Sequence, residues 1–539
     1  MKTFIRISLA TAVLGLALAC SKDKPGNNDG DSFKSITPLL TEIIIPEKGS
    51  AKIDFQVQDP GFEFNFDTES PECKISLRLR GGALAEEYAI TSIEKKSQKG
   101  IYSARIKYTG KEDIFKENLC LGMRLGSSSL IISKTFLVRS EKEIQEHDNL
   151  IKTGLPIVYI NTDGGKEITS KDDYLKASIR VDGFGKYQSV EESPCSIRGR
   201  GNTTWTWRKK PYLVKMDSKT SFFGFPKHKR WVLLANFMDR TMMRNLIAYK
   251  IGSMTNLAWT PRCRSVELVL NGKHMGNYLF IEQIRVDKDR INIAGEKAYL
   301  LELDFHFDNL VQWINKHGRC KRFNEGIPFA IKNPDKDVLT EAGKTYIQDY
   351  IEQTASALYG KDFKDASKGY RKYLDTDSFI DYWIIFEVMG NHELGNPGSV
   401  YFHKDTDKKL VAGPIWDFDW GVLSYKTSPQ AKYGLLNQNA IWYERLFHDP
   451  EFVSALRKRW KELLPALKEI PEFMETMRKE LKKSSELNFA MWNPAEDASQ
   501  NGGDIINGDE NMTFDDAVEL LKNNFEERLN VISSSLDKL

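Results

Sequence analysis

Residues 387–421 read EVMGNHELGNPGSVYFHKDTDKKLVAGPIWDFDWG, and the rest of the chain is arranged around them. Apolar residues at helical spacing over 379–389 predict a helix that runs out at Gly390. A polar loop over 391–398 follows and offers His392, Glu393 and Asn396. Two short strands are expected over 399–403 and 410–413, with a turn at 405–408. The second strand leads into Trp416, Asp417, Phe418, Asp419 and Trp420. Acids at i and i+2 of an extended segment point to the same side. The flanking aromatics are expected to be buried, leaving Asp417 and Asp419 in a partly desolvated cleft. Hard cations such as Mg2+ take one or two carboxylates together with phosphate oxygens. The pattern therefore points to metal chemistry, with Glu393, Asn396 and His392 in the same cleft if the hairpin folds back.

The bulk numbers narrow the field. A chain of 539 residues predicts about two to four domains. Its net charge of +2 excludes an extended nucleic-acid surface, which needs a basic excess. Lys2 and Arg6 precede an apolar run over 7–18 that is too short to span a bilayer, so residues 1–19 are expected to be a signal peptide. Leu16-Ala17-Leu18-Ala19-Cys20 resembles a bacterial lipobox, which implies cleavage before Cys20 and its acylation. Residues 20–33, polar and rich in Gly, Asn and Asp, read as a tether. The expected location is the bacterial cell envelope, at the outer membrane or cell surface, with the membrane reached through the lipid on Cys20. The other cysteines, Cys73, Cys120, Cys195, Cys263 and Cys320, are scattered singly without zinc-site spacing. Cys73 and Cys120 fall in one expected domain and are the pair that a disulfide would join.

Residues 34–140 alternate short apolar runs with turns and predict an all-β, immunoglobulin-like sandwich. Strands are expected over 40–45, 51–57, 74–79, 88–93, 101–108, 119–125 and 130–138. Residues 141–149 read as a charged linker, and 150–539 as an α+β domain, β-rich over 150–335 and helical over 336–539. Within it, Arg198-Gly199-Arg200-Gly201-Asn202-Thr203-Thr204 is a flexible, donor-rich turn of the kind whose backbone N–H groups approach phosphate. It is not a P-loop. The strand that follows places Lys210, Tyr212 and Val214 on one face and Leu213 and Lys215 on the other. A helix is expected from about residue 236, with Asp239 as N-cap and Arg244 and Asn245 as embedded polar groups that bind a ligand or close a buried network. Asn271-Gly272 marks a hairpin whose second strand ends at Glu282, read as an orienting partner for Lys210. The final helix is expected over 515–532 with Thr513 as its cap.

The segments RGRGNTTW (198–205), KKPYLVKMD (209–217), WVLLANFMDRTMMRNLIAYKI (231–251), VELVLNGKHMGNYLFIEQI (266–284) and GPIWDFDWG (413–421), in that order, resemble the CotH (spore coat protein H) kinase-like family. The resemblance implies an atypical, two-lobed protein-kinase-like fold. It also implies Mg-ATP (or Mn2+) as cofactor, and Ser/Thr of a secreted or surface protein as acceptor. By the same resemblance Lys210 would hold ATP phosphates, with Lys215 as second candidate. Arg198, Arg200 and Asn202 would belong to the nucleotide side. Asp417 would bind metal with Asp419 and Asn396 in support, and Glu393 would be the catalytic-loop acid. The family has Asp where this chain has Glu393, and Asn where it has Gly398. Three functions remain open: an envelope-anchored kinase, a pseudokinase-like binding or adhesion lipoprotein, and a hydrolase that pairs Glu393 with Asp417 or Asp419.

Overall fold

The computed structural model describes residues 35–47, 49–58, 73–125, 129–305, 311–320, 326–496 and 507–539. Cys20, the signal peptide and the tether lie outside the described residues. The chain divides into two compact units, Met1–Gln145 and Glu146–Leu539.

In the first unit the strands are β1 (Ser35–Pro38), β2 (Glu42–Ile45), β3 (Ala51–Gln58), β4 (Cys73–Leu79), β5 (Tyr88–Lys95), β6 (Ile101–Tyr108), β7 (Lys116–Leu125), β8 (Ile131–Ile132) and β9 (Phe136–Ser140). They form one sheet in the order β1-β3-β6-β5 and another in the order β2-β9-β7-β4, with β8 on β7. Ile53, Phe55, Tyr102 and Ile106 of the first sheet and Leu77, Leu119, Phe136 and Val138 of the second share one buried cluster. That is the inner layer of a sandwich. Each run read as a strand lies on a strand here; 130–138 is split between β8 and β9, and β1 is additional.

Two expectations are corrected in this region. Cys120 is a free, buried thiol. Cys73 stands opposite Leu125, five residues along β7 from Cys120, or about 17 Å of strand, which is beyond disulfide reach. Residues 141–149 are helical, within α1 (Glu141–Ile151), and not an irregular linker. Ser140 Oγ accepts from the Glu143 N–H at 3.1 Å, so Ser140-x-x-Glu143 is a helix start of the capping-box kind hidden by the surrounding charge.

The second unit opens with a closed barrel. Its strands are β10 (Ile157–Thr162), β11 (Leu175–Asp182), β12 (Val190–Gly199), β13 (Tyr212–Thr220), β14 (His228–Leu234), β15 (Cys263–Leu270) and β16 (Lys273–Glu282). The order around the barrel is β10-β11-β12-β13-β14-β16-β15, closed by the parallel pair of β10 and β15. Alternation sorts each strand. Tyr212, Val214, Met216, Trp231, Leu233, Tyr278 and Phe280 fill the interior, whereas Leu213, Val232, Leu279 and Ile281 join a second core outside it. Asn271 and Gly272 both take positive φ, 50° and 79°, as a tight two-residue hairpin requires.

Between β12 and β13 lies the short helix α2 (Thr203–Thr206), and between β14 and β15 lies α3 (Arg244–Gly252). This second helix begins later than expected. Asp239 does not sit at its N-cap; it reaches forward, Oδ2 accepting from the Arg244 N–H at 2.9 Å and Oδ1 from Thr241.

A five-stranded antiparallel sheet follows: β17 (Tyr299–Leu303), β18 (Gln312–Asn315), β19 (Ile327–Asn333), β20 (Val400–Lys404) and β21 (Leu410–Ala412), in the order β18-β19-β17-β20-β21. Since β17 pairs with β20, this sheet crosses residue 335, where a β-rich part was expected to give way to a helical one. The helices are α4 (Glu341–Tyr359), α5 (Thr376–Val388), α6 (Tyr443–Leu446), α7 (Pro450–Leu467), α8 (Ile470–Met491) and α9 (Phe514–Leu536). Every residue of α5 from Ser378 to Val388 is buried, which is why its sequence is apolar on all sides. One core runs from Leu155 to Leu536 and carries the 387–421 stretch at its centre.

Candidate functional site

The expected hairpin forms, and both ends of the focal stretch are anchored. The Trp416–Trp420 turn leaves β21 through Gly413-Pro414, and Asp417 takes a φ of 65°, a left-handed conformation that Asp tolerates better than most residues. Two asparagines hold the turn by its backbone. Asn245 Oδ1, on α3, accepts from the Phe418 N–H at 2.8 Å. Asn507 Oδ1 accepts from the Gly421 N–H at 2.8 Å, while its Nδ2 donates to Asp419 O at 3.1 Å and Met238 O at 2.9 Å. Arg244, buried beside them, bridges Asp239 and Asp509. Arg244 and Asn245 therefore close a buried network whose purpose is to fix the acidic turn.

Asp419 is buried, and its carboxyl is held well above the usual carboxylate range, first by desolvation and then by the charge of Asp417 and a hydrogen bond to it. Two carboxyl groups in hydrogen-bonding contact need a proton or a cation between them. Glu393 begins the single 3-10 turn Glu393–Gly395, with its N–H on Asn391 Oδ1 at 2.8 Å. Glu393 is only half-buried as a residue, yet its Oε2 is sealed from solvent and has no hydrogen-bond partner. Burial raises its carboxyl well above the ordinary value, and the charges of Asp417, Asp419, Asp304 and Glu302 raise it further.

Glu302 and Asp304 were not singled out from sequence. Both are buried at the end of β17, in the same acid-x-acid spacing as Asp417 and Asp419, which is the signal that marks them. Glu302 is partly neutralised: Lys332 Nζ lies 2.7 Å from Oε2, and Tyr401 Oη donates to Oε1 at 2.5 Å. The site thus gathers five acids from β17, the loop after α5 and the turn after β21. Among the described residues, no three His, Cys, Asp or Glu side chains stand close enough to enclose a metal ion by themselves. A pair of carboxylates with an orphaned third oxygen nearby suits a cation that keeps water or phosphate oxygens as its other ligands. The donor set fits Mg2+ or Mn2+: Asp417 and Asp419 would hold the ion, with the Glu393 carboxyl feeling the charge of both.

The glycine-arginine loop reaches this site. The Arg200 guanidinium lies 5.5 Å from the Trp416 ring centre, and its charge acts on Tyr401 together with Glu302 and Asp304. Trp207 packs on Trp420 with ring centres 6.0 Å apart. Asn202 Oδ1 accepts from Lys171 Nζ at 3.3 Å. The Asn396 side chain makes no hydrogen bond with the carboxylates; its N–H donates to Glu393 O.

The lysines differ from expectation. Lys210 Nζ donates to Trp205 O at 2.7 Å, turned onto its own loop. Lys209, passed over from sequence, is the buried one. Its ammonium donates to Ala235 O, Asn277 O and Asn488 Oδ1, and burial brings it down to about 7. Glu282 is not the partner of Lys210. It accepts from Arg262 at 2.9 Å and lies 3.8 Å from Arg290. Lys210 precedes β13, and its carbonyl accepts from Tyr278 Oη at 2.9 Å, whereas Glu282 is level with Trp231, four residues beyond Tyr278 on β16, or about 13 Å of strand. Lys215 is exposed on the outer face of β13, opposite Arg230.

No curated protein matches the chain. Among solved structures, a marsupial T cell receptor is similar at 9% identity over 31% of this chain and 100% of its own, with a TM-score of 0.14. The family model described as "CotH kinase protein" matches residues 197–532, which include the arginine loop, β17, Glu393 and the acidic turn. The chain belongs to the CotH kinase family.

Proposed function

We propose that this protein is an envelope-anchored kinase, tethered through lipid on Cys20, that passes the terminal phosphoryl group of metal-bound ATP to Ser or Thr hydroxyls of secreted or surface proteins. The supporting observation is the set of Asp417, Asp419 and Glu393, whose mutual repulsion a divalent cation relieves. The metal, when bound, neutralises charge on the phosphate oxygens. The residues do the rest. Asp417 and Asp419 fix where the phosphates end, and Arg200 beside Trp416 adds positive charge on the phosphate side. Glu393 takes the proton of the acceptor hydroxyl as its oxygen bonds to the γ-phosphorus. The bond from that phosphorus to the bridging oxygen breaks, and ADP leaves with the electron pair.

One observation favours a binding-only version. Burial and the neighbouring acids hold the Glu393 carboxyl well above the usual carboxylate range, which favours its protonated form, and a protonated acid accepts no proton. The two readings separate in one experiment. Purified protein incubated with γ-labelled ATP and Mg2+ or Mn2+ labels itself or an added acceptor if it is a kinase, and Asp417→Ala abolishes the label. Nucleotide-induced thermal stabilisation without label supports the binding-only version. Neither effect, with either metal, rejects both.

A further inference from the structure

The outer face of the barrel carries a second charge feature, which the acidic site does not explain. Tyr174, just before β11, stands in line with Arg198 of β12, and Lys215 of β13 is directly opposite Arg230 of β14. The guanidinium carbons of Arg198 and Arg230 lie 5.1 and 5.7 Å from the Tyr174 ring centre, and Lys215 Nζ lies 5.9 Å from it. Arg230 Nη1 donates to Tyr174 Oη at 2.5 Å. Arg285, three residues past β16, completes the group: burial lowers its guanidinium below the ordinary value, and Arg230 and Arg198 lower it further.

Carboxylates do not balance these charges. Among the described residues, Arg198, Lys215 and Arg230 make no ion pair, and Arg285 has only Asp335, 3.9 Å away and itself 74% exposed. Arg198 Nε is buried without a hydrogen-bond partner. Like charges directly opposite on neighbouring strands destabilise a sheet, so the ligand-free protein carries a standing cost here that an anion removes. Arg200, two residues beyond Arg198, connects this face to Trp416 and the acidic turn.

We infer that Arg198, Lys215, Arg230 and Arg285, ordered around Tyr174, form a polyphosphate-binding wall that holds the phosphate chain of the nucleotide whose metal-bound end reaches Asp417 and Asp419. This rests on the kinase-family reading of the acidic site for the identity of the ligand, but not for its anionic chemistry. It assigns phosphate binding to these three arginines and Lys215 in place of Lys210.

The test is calorimetric titration of the full chain with Mg-ATP and, separately, with sodium tripolyphosphate. Wild type is compared with Arg230→Gln/Arg285→Gln, and with Lys215→Gln, whose side chain is exposed. The expected result is competition between the two ligands in wild type, at least ten-fold weaker binding of both by the double variant, and about three-fold weaker binding by Lys215→Gln. The ligand-free melting temperature of the double variant should be unchanged or higher, because repulsion is relieved; a purely structural role predicts a fall. Tripolyphosphate binding that the variants lose, with no nucleotide binding, upholds the wall and rejects the nucleotide reading. Mg-ATP bound equally by all three proteins rejects the wall and leaves the nucleotide reading standing. Failure of wild type to bind tripolyphosphate also rejects the wall.

Discussion

The side chain of Asn245 and the backbone of Phe418 are joined by a 2.8 Å hydrogen bond, so the start of α3 supports the turn that carries both Asp417 and Asp419. Asn245 Nδ2 is itself held by Asn236 Oδ1 at 3.1 Å. Asn245→Leu leaves the Phe418 N–H and Asn236 Oδ1 unpaired inside the protein. Stranding a buried polar group costs about 1–3 kcal/mol, so a drop of about 2 kcal/mol in unfolding free energy is expected, together with weaker divalent-cation binding. Denaturant titration and a Mn2+ titration on the same variant measure both.

A second buried pair holds the other end of the focal stretch. Glu387, near the C-terminus of α5, pairs with Arg528 of α9 and accepts from the N–H groups of Leu436 and Asn437. Both side chains are fully enclosed. Arg528→Met leaves the carboxylate buried and uncompensated, a loss of about 3–5 kcal/mol. Glu387→Gln/Arg528→Met removes both charges and should recover part of that loss. Melting temperatures of the two variants, in the same buffer, check the order.

The acids give a pH dependence of definite sign. Glu393 and Asp419 have carboxyls raised above their unfolded values. Such groups stabilise the fold only while protonated. Their contribution is complete below the unfolded value, near ~4, and is lost as pH rises toward the folded one. A divalent cation acts oppositely, because it displaces the protons. Metal-free protein should therefore gain stability when Glu393→Gln is made, most of all at neutral and alkaline pH. The thermal shift caused by Mn2+ should grow as pH is raised from acid to neutral. Melting curves across pH, with and without Mn2+, test both statements.

Neighbouring lysines should separate sharply. Lys209 satisfies three acceptors, two of them backbone carbonyls, in a fully buried position. Lys209→Ala removes the donor from all three, although Asn488 Oδ1 keeps the Asn277 N–H, and should cost about 3 kcal/mol. Lys210 is partly exposed, and its ammonium donates to the Trp205 carbonyl of its own loop, where water can replace it, so Lys210→Ala should cost less, about 1 kcal/mol. Chemical denaturation of the two single variants decides it.

Much of this architecture can be read from the sequence because local pattern and tertiary demand agree. The β-strands of the first unit, the Asn271-Gly272 hairpin, the buried α5 and the Thr513 cap all obey short-range rules. The barrel is less legible. Its closure depends on β10 meeting β15 about a hundred residues later, and no local signal encodes a parallel pairing across that gap. Strand counting paired Lys210 with Glu282, but Lys210 lies before β13 and turns onto its own loop while Glu282 takes Arg262, and there the expected pair failed. Asn507 lay in a stretch whose Asn, Gly and Asp content reads only as loop. Its role emerges from the distances it spans, to Met238, Asp419 and Gly421. The acid-x-acid spacing singles out Asp417 and Asp419 in the sequence, and the polar loop after the helix offers Glu393. Only the fold adds Glu302 and Asp304, since β17 is brought to them through β20.

The most direct test is a Mn2+ titration followed by electron paramagnetic resonance, on wild type and Asp417→Asn, each with and without ATP. The account predicts Mn2+ bound by wild type, tightened by nucleotide, and binding weakened at least ten-fold in Asp417→Asn without loss of fold. Mn2+ left free beside wild type and ATP, or bound equally well by Asp417→Asn, would contradict it.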